Sequence, residues 1–112
     1  MSINTEVFKI IDQAKDSLRI NITGSLTGTE TALLRIEVEK ALKSDFDTIY
    51  VDVKEVKEAD LSGINEVIHS HYTLEKAAKK LVFVYAKASV IEKWVETTGL
   101  EKFISTAILP AN

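Results

Sequence analysis

Ser62 and two histidines are the side chains of this sequence that could support nucleophilic chemistry. A nucleophilic serine needs a base, usually a histidine, within hydrogen-bond reach, and a carboxylate that orients the base. His69 would lie about 10 Å from Ser62 along a shared helix, at a rise of about 1.5 Å per residue. That separation is too long for direct proton transfer. The D-L-S-G segment also lacks the two flanking glycines of a nucleophile elbow, so the pattern argues against a hydrolase.

His69 and His71 do not form a metal site by spacing. Two residues apart on a helix, they project about 200° from each other and cannot share one ion. His71 falls within an apolar helical stripe, and Glu75 follows it at the four-residue spacing of a helical pair. We therefore predict a semi-buried His71 held by Glu75 or by a backbone carbonyl, in preference to a ligand or a pH switch. His69 is predicted to face solvent.

Three carboxylates precede the same predicted helix, at Glu55, Glu58 and Asp60. A paired-carboxylate hydrolase needs two acids that face each other across a substrate cleft. These three are expected in one short solvated loop, with Asp60 near the helix N-terminus, where exposed N–H groups favour a negative charge. The four glycines of the chain form no phosphate-binding pattern. No catalytic site, metal site or cofactor is predicted.

The composition narrows the class of protein. A chain of 112 residues is expected to form one domain, residues 1–112. The net charge is −3 and no stretch concentrates basic residues, which argues against a nucleic-acid partner. There are no cysteines, so disulfides and thiolate catalysis are excluded. No apolar run approaches the ~20 residues of a membrane span, and the N-terminus lacks a signal-peptide pattern. We expect a cytoplasmic protein without direct membrane insertion.

The periodicity of the sequence predicts strands that alternate with helices, hence crossover connections and a mixed sheet. Thr27 with Glu30, and Ser89 with Glu92, have the spacing of capping boxes, and Gly99 is a plausible helix stop. The continuous apolar run Leu81–Tyr85 predicts a central strand covered by helices on at least one side. The predicted strands are Val7–Ile11, Ser17–Gly24, Asp47–Val56, Leu81–Tyr85 and Ser105–Leu109, the last of them ended by Pro110. The predicted helices are at about Thr27–Ser44, Ser62–Ala78 and Ser89–Thr98.

The turn into the second helix is the strongest candidate for a functional surface. Gly63 has no side chain, so another backbone can approach it closely. Ser62 is expected to be exposed there, either as a helix-capping or first-turn group or as a regulated acceptor. A phosphate on Ser62 would add about −1.5 to −2 charges to the surface. Beside Glu58 and Asp60, that charge could repel a partner.

Several segments resemble STAS domains, and most closely the bacterial anti-sigma factor antagonists. The resemblance rests on the ββαβαβα order, the D-x-S-G turn with Ile64, the T-G-L-E-K-F-I segment at Thr98–Ile104, and Ile22–Leu34. It implies an α/β STAS fold with a mixed four- to five-stranded sheet and helices packed against it. It also implies a regulatory, non-enzymatic domain that binds a protein partner and needs no cofactor.

The resemblance further implies that the partner is an anti-sigma factor that is also a serine kinase. In such proteins the kinase phosphorylates the first hydroxyl residue after the aspartate and thereby breaks the complex. That position is Leu61 here, which has no hydroxyl, and Ser62 matches the second hydroxyl position. Thr27 stands where the family usually has an aspartate. The chain could be a constitutive antagonist, use Ser62 as a shifted acceptor, or be an adaptor of a signalling complex or of a lipid-transport ABC system.

The predicted docking surface comprises the turn Glu58–Gly63, the start of the helix that follows it, and the loop Gly24–Thr29. This choice rests on the helix start that is expected to face solvent and on the lack of a catalytic constellation in the sequence. The residues predicted to contact the partner are Gly24, Ser25, Thr27, Glu58, Asp60, Leu61, Ser62 and Gly63.

Overall fold

The computed structural model describes residues 3–11 and 16–110, with side chains from residue 17 onward except at residues 29 and 30. It contains a five-stranded sheet in the order β1-β2-β3-β4-β5 and three α-helices. The elements are β1 (Ile3–Ile11), β2 (Asp16–Leu26), a 3-10 helix (Gly28–Thr31), α1 (Ala32–Leu42), β3 (Thr48–Ala59), α2 (Leu61–Lys76), β4 (Lys80–Ala86), α3 (Val90–Thr98), a 3-10 helix (Leu100–Lys102) and β5 (Ser105–Leu109).

The sheet is mixed, as the sequence predicted. β1 pairs with β2 in antiparallel fashion, and β2, β3, β4 and β5 are parallel to their neighbours. Residues 12–15, between β1 and β2, lie outside the described residues. β2, β3 and β4 are each followed by a helix and then by the adjacent strand. Because such crossovers are right-handed and all advance in the same direction, the three helices lie on one face of the sheet.

The core lies between the helices and that face of the sheet. On β3 the alternation places Ile49, Val51 and Val53 in it, and on β4 it places Phe83 there with no exposed surface. Residues of all three helices join the same cluster. Its members outside β3 and β4 include Ile20, Ile22, Leu26, Leu34, Val38, Ala41, Ile64, Val67, Leu74, Ile91, Val95, Leu100 and Ile104.

The opposite face of the sheet holds a buried carboxylate, Asp52, on β3. Arg19 of β2 donates a hydrogen bond to it, and the Lys54 ammonium lies 2.8 Å from the same oxygen. The Lys54 backbone N–H donates to the other carboxylate oxygen at 3.0 Å. Arg19 also lies over the ring of Tyr50, 5.4 Å from its centre. The buried charge is therefore matched by two cations, which is what burial of a carboxylate requires.

Helix boundaries agree with the sequence at α3 and differ at α1. Ser89 Oγ accepts the Glu92 N–H, and Gly99 ends α3 in the left-handed region at φ +69°. At α1 the predicted capping box of Thr27 is wrong for the α-helix. A 3-10 turn intervenes, and α1 begins at Ala32 after Thr31, whose side chain makes no capping hydrogen bond.

Candidate docking surface

Asp60 joins the two segments of the predicted docking surface. It is the extended N-cap residue of α2, and its Oδ1 accepts the Gly63 N–H at 2.9 Å. Its Oδ2 accepts the Gly28 N–H at 3.1 Å, across 32 residues of sequence. The Asp60 N–H donates to the Leu26 carbonyl at 3.3 Å. One side chain therefore caps α2 and fixes the segment after β2 against it.

Gly63 brings the start of α2 against the end of β2. A Cβ atom at this position would lie 2.0 Å from the carbonyl oxygen of Leu26 and 2.8 Å from its carbonyl carbon. Backbone atoms cannot move aside as the end of a long side chain can, so only glycine fits here. The prediction that Gly63 allows a close backbone approach is confirmed, and Leu26 is the residue that approaches.

The acidic segment before α2 is a strand and not the predicted loop. β3 runs to Ala59, so Glu55 and Glu58 belong to the sheet. The pairing of β2 with β3 shifts between Asn21 and Thr23 and again between Gly24 and Ser25, and each time β3 contributes one extra residue. Such bulges twist the strand locally and redirect its side chains. The second bulge sets Ser25 opposite Glu58, which brings the two predicted segments side by side.

Leu61 and Ser62 form the exposed first turn of α2. Leu61 is 53% exposed. Ser62 is also exposed. Asp60 is the N-cap, so the alternative that Ser62 caps the helix is wrong, and Ser62 is a first-turn side chain. The backbone N–H groups of this turn make a helix N-terminus that favours negative charge.

The remaining predicted contact residues differ in exposure. Glu58 is exposed, while Gly24 and Thr27 are partly exposed. Gly24 and Ser25 belong to β2 rather than to a loop, and Gly24 has φ +86°. Ser25 is 1% exposed, so its side chain supports the fold of the segment and offers no surface to a partner in this conformation.

Trp94 of α3 supports the same turn. Its indole N–H donates to the Ala59 carbonyl at 3.3 Å, directly before the cap residue Asp60. Trp94 also lines a surface groove of about 240 Å³ with Val90, Lys93 and Thr97. The capping box at Ser89 predicts the helix that carries Trp94, but no local spacing shows that its indole reaches the end of β3.

The histidines are placed as predicted. His69 is exposed, and His71 is partly buried, with its Nε2 3.7 Å from Glu75 Oε2. The His71 ring lies edge-on to Tyr72 and Phe103, at centroid distances of 5.0 and 6.1 Å. It is therefore part of an aromatic cluster at the other end of α2 from Ser62.

An ion pair between an exposed arginine and a buried glutamate connects α1 to α2 beside the surface. Arg35 of α1 donates to both oxygens of Glu66 of α2, at 2.6 and 3.3 Å. Glu66 is 5% exposed. The hydrogen bond and charge of Glu66 raise the pKa of Arg35 above its ordinary value. This pair holds α1 against the helix that begins at the docking surface.

Within residues 17–28 and 31–110, no group of three or more histidine or acidic side chains is placed to hold a metal ion. Nor does any described helix have the length and apolar composition of a membrane span.

A comparison with protein-family models decides the family. The model described as "Mlab, STAS domain" matches residues 11–110. The chain belongs to the STAS family. No curated protein matches the sequence at a significant level.

Solved structures show the same STAS fold at low sequence identity. An anti-sigma factor antagonist from Mycobacterium paratuberculosis superposes with a TM-score of 0.76 at 16% identity, covering 94% of this chain and 85% of that one. The anti-sigma factor antagonist SpoIIAA in its unphosphorylated form superposes with a TM-score of 0.69 at 18% identity, covering 99% of this chain and 89% of that one. An uncharacterized protein with a SpoIIAA-like fold from Shewanella loihica superposes with a TM-score of 0.61 at 14% identity, covering 96% of this chain and 85% of that one.

Proposed function

We propose that this STAS domain is a non-enzymatic regulator that binds an anti-sigma factor of the serine-kinase type through the predicted docking surface. The observation that carries the proposal is the position of Asp60. Its carboxylate holds the segment after β2 and the start of α2 in one arrangement before any partner arrives. A surface ordered in advance loses less conformational entropy on binding.

Leu61 determines the regulation that we propose. It occupies the position at which related antagonists carry the phosphorylated hydroxyl, and its exposed side chain has no oxygen to phosphorylate. An exposed leucine at the centre of a surface instead offers apolar area to a partner. The complex would then persist under conditions in which a kinase releases other antagonists.

A second candidate function is that of an adaptor subunit in a signalling complex or a lipid-transport ABC system. The description of the matching family model, "Mlab, STAS domain", names neither a sigma factor nor a kinase, which agrees with this candidate. Leu61 agrees with this candidate too, since an adaptor needs no phosphorylation switch. The identity of the bound partner distinguishes the two candidates.

The first experiment identifies the partner and tests the surface together. The tagged protein is used to capture partners from a lysate of the source cells, which are identified by mass spectrometry. Recovery of an ATP-binding anti-sigma factor supports the proposal, and recovery of a transporter or receptor complex supports the adaptor function. Asp60→Ala should weaken capture at least about tenfold, because both segments lose their shared acceptor. Asp45→Ala, at an exposed acid between α1 and β3, is the control and should bind normally.

The second experiment tests the role of Leu61 by intact mass after incubation with the captured kinase and ATP. We expect no phosphate on the native protein and one phosphate on Leu61→Ser. Phosphate on the native protein that disappears in Ser62→Ala would show that Ser62 is a shifted acceptor. The proposal that the switch is absent would then be wrong.

A further inference from the structure

β5 leaves one edge of the sheet open. It pairs with β4 from Ser105 to Leu109 without a bulge, and no described strand pairs with its other side. Open edges are usually blocked by charged side chains, bulges or covering segments, because their free N–H and C=O groups can pair with another chain. β5 carries no charged residue. Only Pro110, directly after the strand, limits its length.

The backbone direction of β5 identifies the free groups. The Leu109 carbonyl accepts the Lys87 N–H at 2.8 Å, so the backbone groups of Leu109 face β4. Successive residues of a strand point their backbone groups to alternate sides. Ala107 therefore also faces β4, while Thr106 and Ile108 point their N–H and C=O groups outward.

We propose that β5 pairs with β5 of a second copy of this chain, in antiparallel orientation about a twofold axis at Ala107. Thr106 of each copy then exchanges both backbone hydrogen bonds with Ile108 of the other, which accounts for all four outward groups on each copy. The two Ala107 residues face each other as the closely spaced pair that does not exchange hydrogen bonds. The result is a continuous ten-stranded sheet, twice the five strands of one copy.

Charge and symmetry favour a second copy of this chain as the partner that pairs with the open edge of β5. A twofold contact requires the same surface on both partners, so a charge on β5 would oppose a like charge nearby. β5 has none, whereas β1, at the other edge, contains Glu6 and Lys9. Pro110 has no N–H to donate, which limits the pairing to the short self-complementary segment.

Exposed apolar side chains adjoin this edge and add area to the contact. Ile108 is 53% exposed although its neighbour in register on β4, Tyr85, is buried. Ile108 thus lies on the helix side of the sheet, beyond the cover that the helices give. Phe103, two residues before β5, is 42% exposed and stacks on Tyr72 of α2. None of these residues belongs to the predicted docking surface, so the inference goes beyond the proposed function.

Sedimentation equilibrium from about 1 µM to about 1 mM tests the pairing, since this range spans the affinities of small interfaces. We expect the native mass to rise with concentration from 12.5 kDa to twice that value. Ile108→Lys and Thr106→Pro should each raise the dissociation constant at least about tenfold. Circular dichroism verifies that both variants fold, and Ile36→Lys, at a 48% exposed position on α1, should dimerise like the native protein. A native protein that stays monomeric throughout, or folded edge variants that dimerise normally, would overturn the proposal.

A cysteine variant tests the axis itself. The chain has no cysteine, so Ala107→Cys can form a disulfide only between copies. Closely spaced antiparallel pairs have Cα atoms about 4.5 Å apart, within the range that a disulfide spans. We expect oxidation to convert Ala107→Cys to a covalent dimer, while Ile36→Cys gives only collisional background. Equal yields from the two variants would show that Ala107 does not lie at the axis.

Discussion

At the scale of single residues, Asp60 and Gly63 build the docking surface without themselves being its most exposed part. Asp60 accepts hydrogen bonds from Gly63 and Gly28, and Gly63 provides the space that lets Leu26 approach. Leu61 and Ser62 are exposed between them. The residues that shape the surface are therefore different from the residues available to touch a partner.

Gly63→Ala tests whether Gly63 shapes the docking surface through its close contact with Leu26. The new methyl group would meet the Leu26 carbonyl at 2.0 Å, so we expect a loss of at least about 2 kcal/mol in the free energy of unfolding, measured with urea. Gly28→Ala is the matched control. A Cβ atom at Gly28 would have no neighbour within 4 Å, but the φ of this residue is +58°. The substitution should therefore cost only about 1 kcal/mol in the free energy of unfolding. Equal losses in the two variants would contradict the close approach at Gly63.

At the scale of elements, the strands differ in what they carry. β3 is long and bulged, and its last residues deliver Glu58 and Ala59 to the docking surface. β4 is short and mostly buried, and serves the core. Its Tyr85 is 3% exposed, and burial is the main cause that raises the pKa of its phenol. The carboxylates of Glu92, Glu101 and Glu96 raise that pKa further.

The raised pKa of Tyr85 predicts a specific loss of stability at high pH. At a pH below the ordinary pKa of 10.0, the phenol is neutral in both the folded and the unfolded state, and its full contribution to stability is present. Above it the unfolded chain loses the proton first, so stability falls as pH rises towards the folded pKa, by at most about 1.4 kcal/mol per pH unit.

Urea unfolding at pH 9, 10 and 11 measures this effect. Tyr85→Phe should lose less stability over the range than the native protein, because it has no phenol to ionise. Tyr72→Phe, at a 48% exposed tyrosine, should follow the native curve. If Tyr85→Phe has the same pH dependence of stability as the native protein, the fold does not oppose ionisation of the Tyr85 phenol.

At the scale of the whole molecule, the two faces of the sheet have different tasks. The helix-covered face contains one contiguous apolar cluster, while the other face holds Asp52 with its cations Arg19 and Lys54. Most of the hydrophobic stabilisation therefore comes from one side. The edges and the strand ends remain for interactions with other chains.

Truncation on the two faces of β4 should show this asymmetry. Phe83→Ala removes a fully buried ring from the core cluster and should cost about 3–5 kcal/mol in thermal or urea unfolding. Val84→Ala, next to it on the other face, should cost about 1–2 kcal/mol, roughly the transfer of the methyl groups removed. Val84 is 3% exposed but lies outside the core cluster. Comparable losses would mean that both faces contribute equally.

Much of the fold was predictable because its signals are local. The periodicity of the segment Ser17–Gly24 predicted β2, and the capping box at Ser89 and the glycine at Gly99 predicted both ends of α3. The docking segments were found through the family resemblance and through Gly63. The capping box at Thr27 failed because a 3-10 turn precedes α1, and a three-residue spacing does not distinguish the two kinds of helical start.

By itself, the sequence determined the order of the elements, the mixed sheet, and the absence of a hydroxyl at Leu61, since each follows from residue type or short-range periodicity. Only the tertiary structure decided that Asp60 reaches Gly28, that Ser25 is buried, and that β3 extends through two bulges to Ala59. These features depend on the register between β2 and β3. That register joins residues more than thirty positions apart, and no local pattern in either strand encodes it.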